Sequence, residues 1–243
     1  MQLYIIHHAQ SANNVLIDET QRTHDPILTE IGKQQADILA QHLFDGPNHD
    51  PYMDPRTGYS QPEDHNGIPI THLYCSAMYR SLQTAAPVAK ALGVPVEIWL
   101  ELHEHGGIYL ETPEGVTGYG GKTRSEILAE FPGYILPDRV TDEGWYDIKL
   151  GKETRAFAYG RAAQVAIDLR KRAKAEPDAR IAIITHGTFI DSLLKALFNQ
   201  LPATQMYYLH YNTAITRIDF RDDDRMLVRH INRVDHLPPE LIT

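Results

Sequence analysis

Apolar and polar positions fall into blocks along this chain. Leu3-Tyr4-Ile5-Ile6 is a continuous apolar run that stops abruptly at His7-His8-Ala9-Gln10-Ser11. Such a run, closed by polar residues, predicts a strand buried on both faces and ending at a loop. Ile181-Ala182-Ile183-Ile184-Thr185 repeats the pattern and stops at His186-Gly187-Thr188. Ile70-Thr71-His72-Leu73-Tyr74-Cys75 is a third run, closed by Ser76 and followed by Arg80. Helical spacing occupies the intervals. Over 28–44 it carries Ile31, Ile38, Leu39 and Leu43, and a second helix over 81–92 ends near Gly93. Thr123-Arg124-Ser125-Glu126 has capping-box spacing and predicts a short helix stopped before Pro132. A longer helix over 154–175 is expected to turn Phe157, Val165 and Leu169 inward, and another follows over 188–199. Residues 94–100 read as a strand, and 214–220 with 225–231 as a closing hairpin around Asp222-Asp223-Asp224. Strands alternating with helices predict an α/β fold: a three-layer α/β/α sandwich with a largely parallel central sheet.

Two stretches break the rhythm. Around 45–69 the apolar periodicity vanishes into Asp, Asn, Pro, Gly and His, which reads as a surface insertion. Around 105–150 lies a second excursion, expected to form a cap; its glycine-rich first part, 105–121, reads as a loop. At 243 residues the chain has the length of one large α/β domain, and 1–243 is read as such.

Charge and cysteine usage narrow the function. Asp and Glu outnumber Lys and Arg by 32 to 23, a net charge of −9 that disfavours a nucleic-acid partner. No basic amphipathic stretch points to a membrane, and no apolar run is long enough to span one. The single cysteine, Cys75, sits in an apolar strand and reads as a small buried side chain. With no secretory signal visible, a cytoplasmic enzyme is expected.

In open α/β sheets, ligands bind beyond the carboxyl ends of the strands. Two histidines and an arginine that follow strand ends can therefore meet at one sheet edge, a combination suited to a phosphate. Competing motifs are weaker. The stretch 115–123 resembles a phosphate-binding loop, but the glycine it needs falls on Val116. His103-Glu104-His105 invites a metal, but the zinc-protease spacing is absent, and the histidines read as solvated. Tyr207-Tyr208 and Trp145-Tyr146 read as core or cap packing.

The motifs resemble those of the histidine phosphatase superfamily, the phosphoglycerate mutase-like proteins. That family opens with strand-Arg-His-Gly-(Glu/Gln)-Ser-x-x-Asn, here His7-His8-Ala9-Gln10-Ser11-Ala12-Asn13-Asn14. Its Asp-x-x-Leu-Thr-x-x-Gly-x-x-Gln-Ala corresponds to the stretch from Asp25 through Leu28, Thr29 and Gly32 to Gln35-Ala36. Its Ser-x-x-x-Arg-x-x-Gln-Thr-Ala corresponds to Ser76 through Arg80 to Gln83-Thr84-Ala85. Leu102-His103-Glu104 with Gly107, and Thr185-His186-Gly187, complete the order.

The resemblance implies a phosphoglycerate mutase-like sandwich and a phosphatase that hydrolyses a small phosphate monoester through a phosphohistidine. His8 is then the nucleophile, with His186 and Glu104 as its catalytic partners. His7, Asn14, Arg80 and His186 bind the phosphate. Glu104 protonates the leaving group and then activates water; it needs a raised pKa, for which apolar cap neighbours are the expected source, and Glu101 and Glu111 are its rivals. No metal or cofactor is required.

One departure bears on activity. The family's arginine is His7 here, and its glycine is Ala9. A histidine cannot reproduce an arginine fork, and its charge depends on pH near 6.5. Arg22, Arg124 and Arg155 are the candidates to restore the missing charge. Two alternatives stay open: a catalytically silent relative that binds a phosphorylated ligand, and a phosphoglycerate mutase. The mutase is disfavoured because Glu104-His105-Gly106-Gly107 stands where Glu-Arg-His-Tyr-Gly is expected.

Overall fold

The computed structural model describes residues 1–48 and 65–243. Its centre is a six-stranded sheet in the order β10-β9-β1-β8-β4-β5. The strands are β1 (Gln2–His7), β4 (His72–Cys75), β5 (Val96–Ile98), β8 (Arg180–Thr185), β9 (Ile215–Phe220) and β10 (Met226–Arg233). β1, β8, β4 and β5 run parallel, while β9 and β10 join antiparallel as the closing hairpin. Side chains alternate across the sheet. Tyr4, Ile6, Leu73, Cys75, Ala182 and Ile184 pack on one face, and Leu3, Ile5, Tyr74, Ile181 and Ile183 on the other. Burial on both faces is why these strands read as unbroken apolar runs.

Helices α1 (Glu30–Asp45) and α2 (Tyr79–Leu92) cover the first face through Leu39, Leu43, Leu82 and Val88. Helices α4 (Arg155–Ala175) and α5 (Gly187–Leu197) cover the second through Ala162, Val165, Leu169, Phe189 and Leu193. This is the three-layer sandwich expected. Caps fix the boundaries: Thr29 and Thr154 accept from backbone N–H groups of α1 and α4, and Gly93 ends α2 in the left-handed region at φ 67°. α3 (Arg124–Glu130) starts at the capping box of Thr123 and Glu126. Cys75 is buried in the sheet.

Several expectations are corrected. Phe157 does not turn inward; it is 72% exposed, because α4 buries only its opposite stripe. The stretch 105–121 is not all loop. β6 (Tyr109–Thr112) and β7 (Gly115–Gly118) form a two-stranded ribbon whose turn places Gly115 at φ 134°, a conformation closed to other residues. Residues beyond it pack Ile127, Phe131, Tyr134, Trp145 and Tyr146 against the first face, so the cap segment is partly core. Of the 45–69 insertion, only the ends are described, where β2 (Pro47–Asn48) pairs with β3 (His65–Asn66); residues 49–64 lie outside the described residues.

Candidate active site

The parallel register sets β1 against β8 with His7 opposite Thr185, so both strands end level with one another. A cavity of about 290 Å³ opens there. His7, His8, Asn14, Arg80 and Glu104 line it, together with Arg22, His24, Tyr109, Thr188 and Tyr207.

His8 is held by the backbone around it. Its N–H donates to Thr185 O (2.9 Å), and Asn212 Nδ2 donates to its carbonyl (2.9 Å). Ala9 N–H donates to Thr84 Oγ1, whose hydroxyl donates to Arg80 O, stitching this loop to α2. The His8 ring contacts Ala9 O through Nδ1 at 2.7 Å. A carbonyl only accepts, so Nδ1 carries the proton and Nε2 is left with a lone pair. Arg80 Nε–H donates to that lone pair at 2.9 Å. Burial, followed by the neighbouring His7 and Arg80, drives the His8 pKa well below 6.5 and keeps the ring neutral.

The His7 ring packs edge-on to His8, with centroids 4.4 Å apart. Its Nδ1 lies 3.0 Å from His210 O and 3.2 Å from Tyr211 O. By the same reasoning Nδ1 is protonated, and the remaining nitrogen, Nε2, is an acceptor. Burial and the neighbouring His210 lower the His7 pKa to about 4. The expectation of a histidine charge that varies near pH 6.5 is therefore corrected. At neutral pH this ring offers the cavity neither a positive charge nor an N–H.

His186 sits behind the His8 ring. It is fully buried and does not line the cavity. Its ring stands 5.0 Å from that of His8, with Nε2 3.3 Å from Ser81 Oγ, while Nδ1 has no partner. Burial, then Arg80 and His8, lower its pKa well below 6.5. Asn14 accepts from Ser11 N–H and Ser11 Oγ–H through Oδ1, both at 2.8 Å, which leaves its Nδ2 donors uncommitted.

Glu104 meets backbone donors rather than apolar cap side chains. His105 N–H and Phe189 N–H reach Oε1 at 2.7 and 2.9 Å, and Thr188 N–H reaches Oε2 at 3.1 Å. Two of these donors, Thr188 and Phe189, belong to the first turn of α5. Its rivals lie elsewhere: Glu101 pairs with Arg139, and Glu111 with Lys152. His103 is not solvated. It is buried, donates from Nδ1 to Leu100 O (2.7 Å), and has a pKa lowered by burial to about 4.

Asp25 and Tyr207 were not foreseen at the site. Asp25 is buried 3.9 Å from Arg80 and accepts from Tyr79 N–H (2.9 Å); burial raises its pKa to about 6. Its place in the Asp-x-x-Leu-Thr motif was the available signal. Tyr207 is half-exposed on the wall, where packing alone was expected. A larger cavity, about 840 Å³, shares no lining residue with the first. It contains neither His8 nor Arg80, so its size does not make it the reacting centre.

This strand order brings His7, His8 and Arg80 together at the strand ends. The chain belongs to the histidine phosphatase superfamily (branch 1), whose family model matches residues 62–233. The matched stretch includes Arg80, Glu104 and His186 but not the divergent opening block. The probable phosphoglycerate mutase GpmB of Yersinia enterocolitica is 23% identical over 224 residues, 91% of this chain and 86% of that protein. Among solved structures, a mycobacterial glucosyl-3-phosphoglycerate phosphatase is 19% identical with TM-score 0.57, covering 96% of this chain and 99% of that one. An Entamoeba histolytica phosphoserine phosphatase in complex with 3-phosphoglyceric acid is 20% identical with TM-score 0.58, covering 98% and 99%. These two likenesses are of fold. No helix among the described residues is long and apolar enough to cross a membrane.

Proposed function

We propose that this protein is a phosphatase that hydrolyses a small phosphate monoester through His8. The observation that carries the reading is the His8 ring: Nδ1–H is committed to Ala9 O, and Nε2 is unprotonated beside Arg80. In the first step the Nε2 lone pair attacks phosphorus, the P–O ester bond breaks, and Glu104 gives the departing alkoxide a proton. Glu104 Oε2, which meets a single backbone donor, is the oxygen with room for that proton. In the second step Glu104 takes a proton from water, the hydroxide attacks phosphorus, and the P–N bond breaks to release phosphate and neutral His8. Arg80 turns its guanidinium from Nε2 to the phosphate oxygens as the ligand arrives, and Asn14 Nδ2 donates alongside. His186 Nδ1, buried without a partner, gains one when an oxygen settles beside His8.

The cavity of about 290 Å³ suits a small ester. The mutase-like and phosphatase relatives agree with a phosphorylated small molecule as substrate without naming one. The chemistry needs no membrane, nucleic acid or cofactor, and we extend the family fold to the whole chain, 1–243, as one domain. A cytoplasmic setting follows from the same reading.

The test is phosphate release from p-nitrophenyl phosphate, with trapping of an acid-labile, alkali-stable phosphoprotein. Both are expected in the wild type and neither in His8→Ala; phosphate release by His8→Ala at the wild-type rate would overturn the reading. One observation favours a second reading, phosphate binding without turnover. His7 faces the cavity wall with an acceptor edge where the family has an arginine. Under it, inorganic phosphate binds and no ester is hydrolysed.

A further inference from the structure

Among the described residues Arg80 is the one buried cation lining this site, and the geometry points to Arg22 as the source of the second permanent positive charge that a phosphate dianion calls for. We infer that Arg22 swings from an ion pair with Glu19 onto the transferred phosphate, standing in for the charge His7 does not carry. The inference rests on the phosphatase reading for the word transferred, and on the cavity alone for phosphate binding.

Arg80 and Arg22 are the two arginines among the residues that line the cavity, and no lysine joins them. The other candidates are committed or remote. Arg124 Nη1 donates to Pro137 O and Val140 O, and Arg155 is exposed outside the cavity. Burial is the chief cause that lowers the Arg80 pKa, and Arg22 is close enough to lower it further. Two like charges that disfavour each other become favourable once a dianion lies between them.

The backbone under Arg22 is fixed while its side chain is not. Asn13, itself on the cavity wall, donates from Nδ2 to Thr23 O (2.8 Å) and accepts Thr23 N–H at Oδ1 (3.2 Å), pinning the residue after Arg22. Arg22 then reaches back to Glu19 at 2.8 Å, with both side chains more than half exposed. An exposed pair of this kind is held weakly, whereas an arginine fork on phosphate makes charge-assisted, bidentate bonds. Leaving Glu19 for phosphate is therefore downhill. The carboxyl group that lines the cavity is Glu104, whose oxygens are engaged by backbone N–H groups.

The experiment measures inorganic phosphate binding by calorimetry and vanadate inhibition of p-nitrophenyl phosphate hydrolysis. Arg22→Gln is expected to weaken both by 10- to 100-fold, and Arg22→Lys to recover part of the loss, because it restores charge without the fork. Glu19→Gln, which frees Arg22, is expected to tighten phosphate a few-fold. His7→Arg in the Arg22→Gln background is expected to restore at least 10-fold, since it returns a charge to the same anion. Phosphate and vanadate binding unchanged in Arg22→Gln overturns the inference. So does a loss confined to esters that carry a second anionic group, which assigns Arg22 to a remote part of the substrate. If phosphate binding falls in Arg22→Gln while the wild type hydrolyses no ester, Arg22 stands as a phosphate ligand and the phosphatase reading fails.

Discussion

β1 and β8 lie side by side, parallel and in register, and each is followed by a histidine; yet the two histidines end up in opposite situations. His8 lines the cavity, while His186 is sealed behind it at 0% exposure. The difference lies in what comes next in the chain. After β1 the backbone runs into a loop tied to α2 through Ala9 and Thr84, which leaves His8 at the mouth of the sheet. After β8 the chain enters α5 at once, with His186 at its N-cap position. The first turn of α5 then spends its free N–H groups on Glu104. On the proposed reading, one strand end presents the nucleophile; the other supports it and positions the proton donor. The same motif, strand then histidine, does not by itself say which role it fills.

The sharpest way to break this contrast is His8→Ala. Turnover is expected to fall by about 10⁴-fold or more, with the melting temperature close to wild type, because the ring contributes little to the two apolar clusters. The equivalent change at Glu104 follows in size. Glu104→Gln is expected to cost about 10³-fold on alkyl phosphates and much less on p-nitrophenyl phosphate, whose leaving group needs no proton. Glu101→Gln is expected to leave both unchanged, since that carboxylate pairs with Arg139 in a different cavity. Equal losses on both substrates in Glu104→Gln would reduce its role to capping α5.

How much of this contrast was legible in the sequence follows from what each feature needs. The apolar runs carry the sheet because both faces are buried, so Ile6 and Ile184 announce their strands without alternation. The cap at Thr123 was readable because capping depends on a side chain at a fixed offset. The meeting of His8 and Arg80 followed from strand ends alone. Other features have no side-chain signature. Two backbone carbonyls, of His210 and Tyr211, fix the His7 tautomer, and a carbonyl looks the same whatever residue bears it. The ribbon of β6 and β7 escaped because its residues are half-exposed or exposed and show no alternation. Phe157 misled because an apolar residue at helical spacing is inward only if something packs on that face. Arg22 is one exposed arginine among several until the cavity distinguishes it.

His186 tests the buried side of the comparison. His186→Ala is expected to reduce turnover by about 10²-fold, the scale of losing one positioned donor to a developing charge. It is also expected to lower stability, because it opens a cavity beside Ser81 under the start of α5. His186→Asn keeps a donor and is expected to retain more activity than alanine. If alanine and asparagine lose the same activity, His186 serves packing and its unpartnered Nδ1 does not meet the ligand.

The last expectation concerns acid. His7, His103 and His236 are each lowered to about 4, all chiefly by burial. An unfolded histidine titrates near 6.5, so between pH 6.5 and 4 the unfolded chain binds more protons than the folded one. Stability from these groups is therefore full above pH 6.5 and lost as pH falls through the window. The loss is about 2.5 kcal/mol per buried histidine on reaching pH 4.5. His8 and His186, also lowered by burial, add to it in the same direction. Asp25 opposes it. Its folded pKa of about 6 lies above the unfolded value of 3.8, so protonation from pH 6 downward favours the folded state and offsets roughly one histidine. Urea unfolding at pH 7.5, 6.5, 5.5 and 4.5 is expected to give the highest stability at the first, a first loss at the second, where unfolded histidines are half protonated, and a steeper decline below. In Asp25→Asn the decline is expected to steepen, because the offset is gone. A flat profile from pH 7.5 to 4.5 would mean that the histidines at the two strand ends are not held neutral, and the lone pair on His8 Nε2 would lose its physical basis.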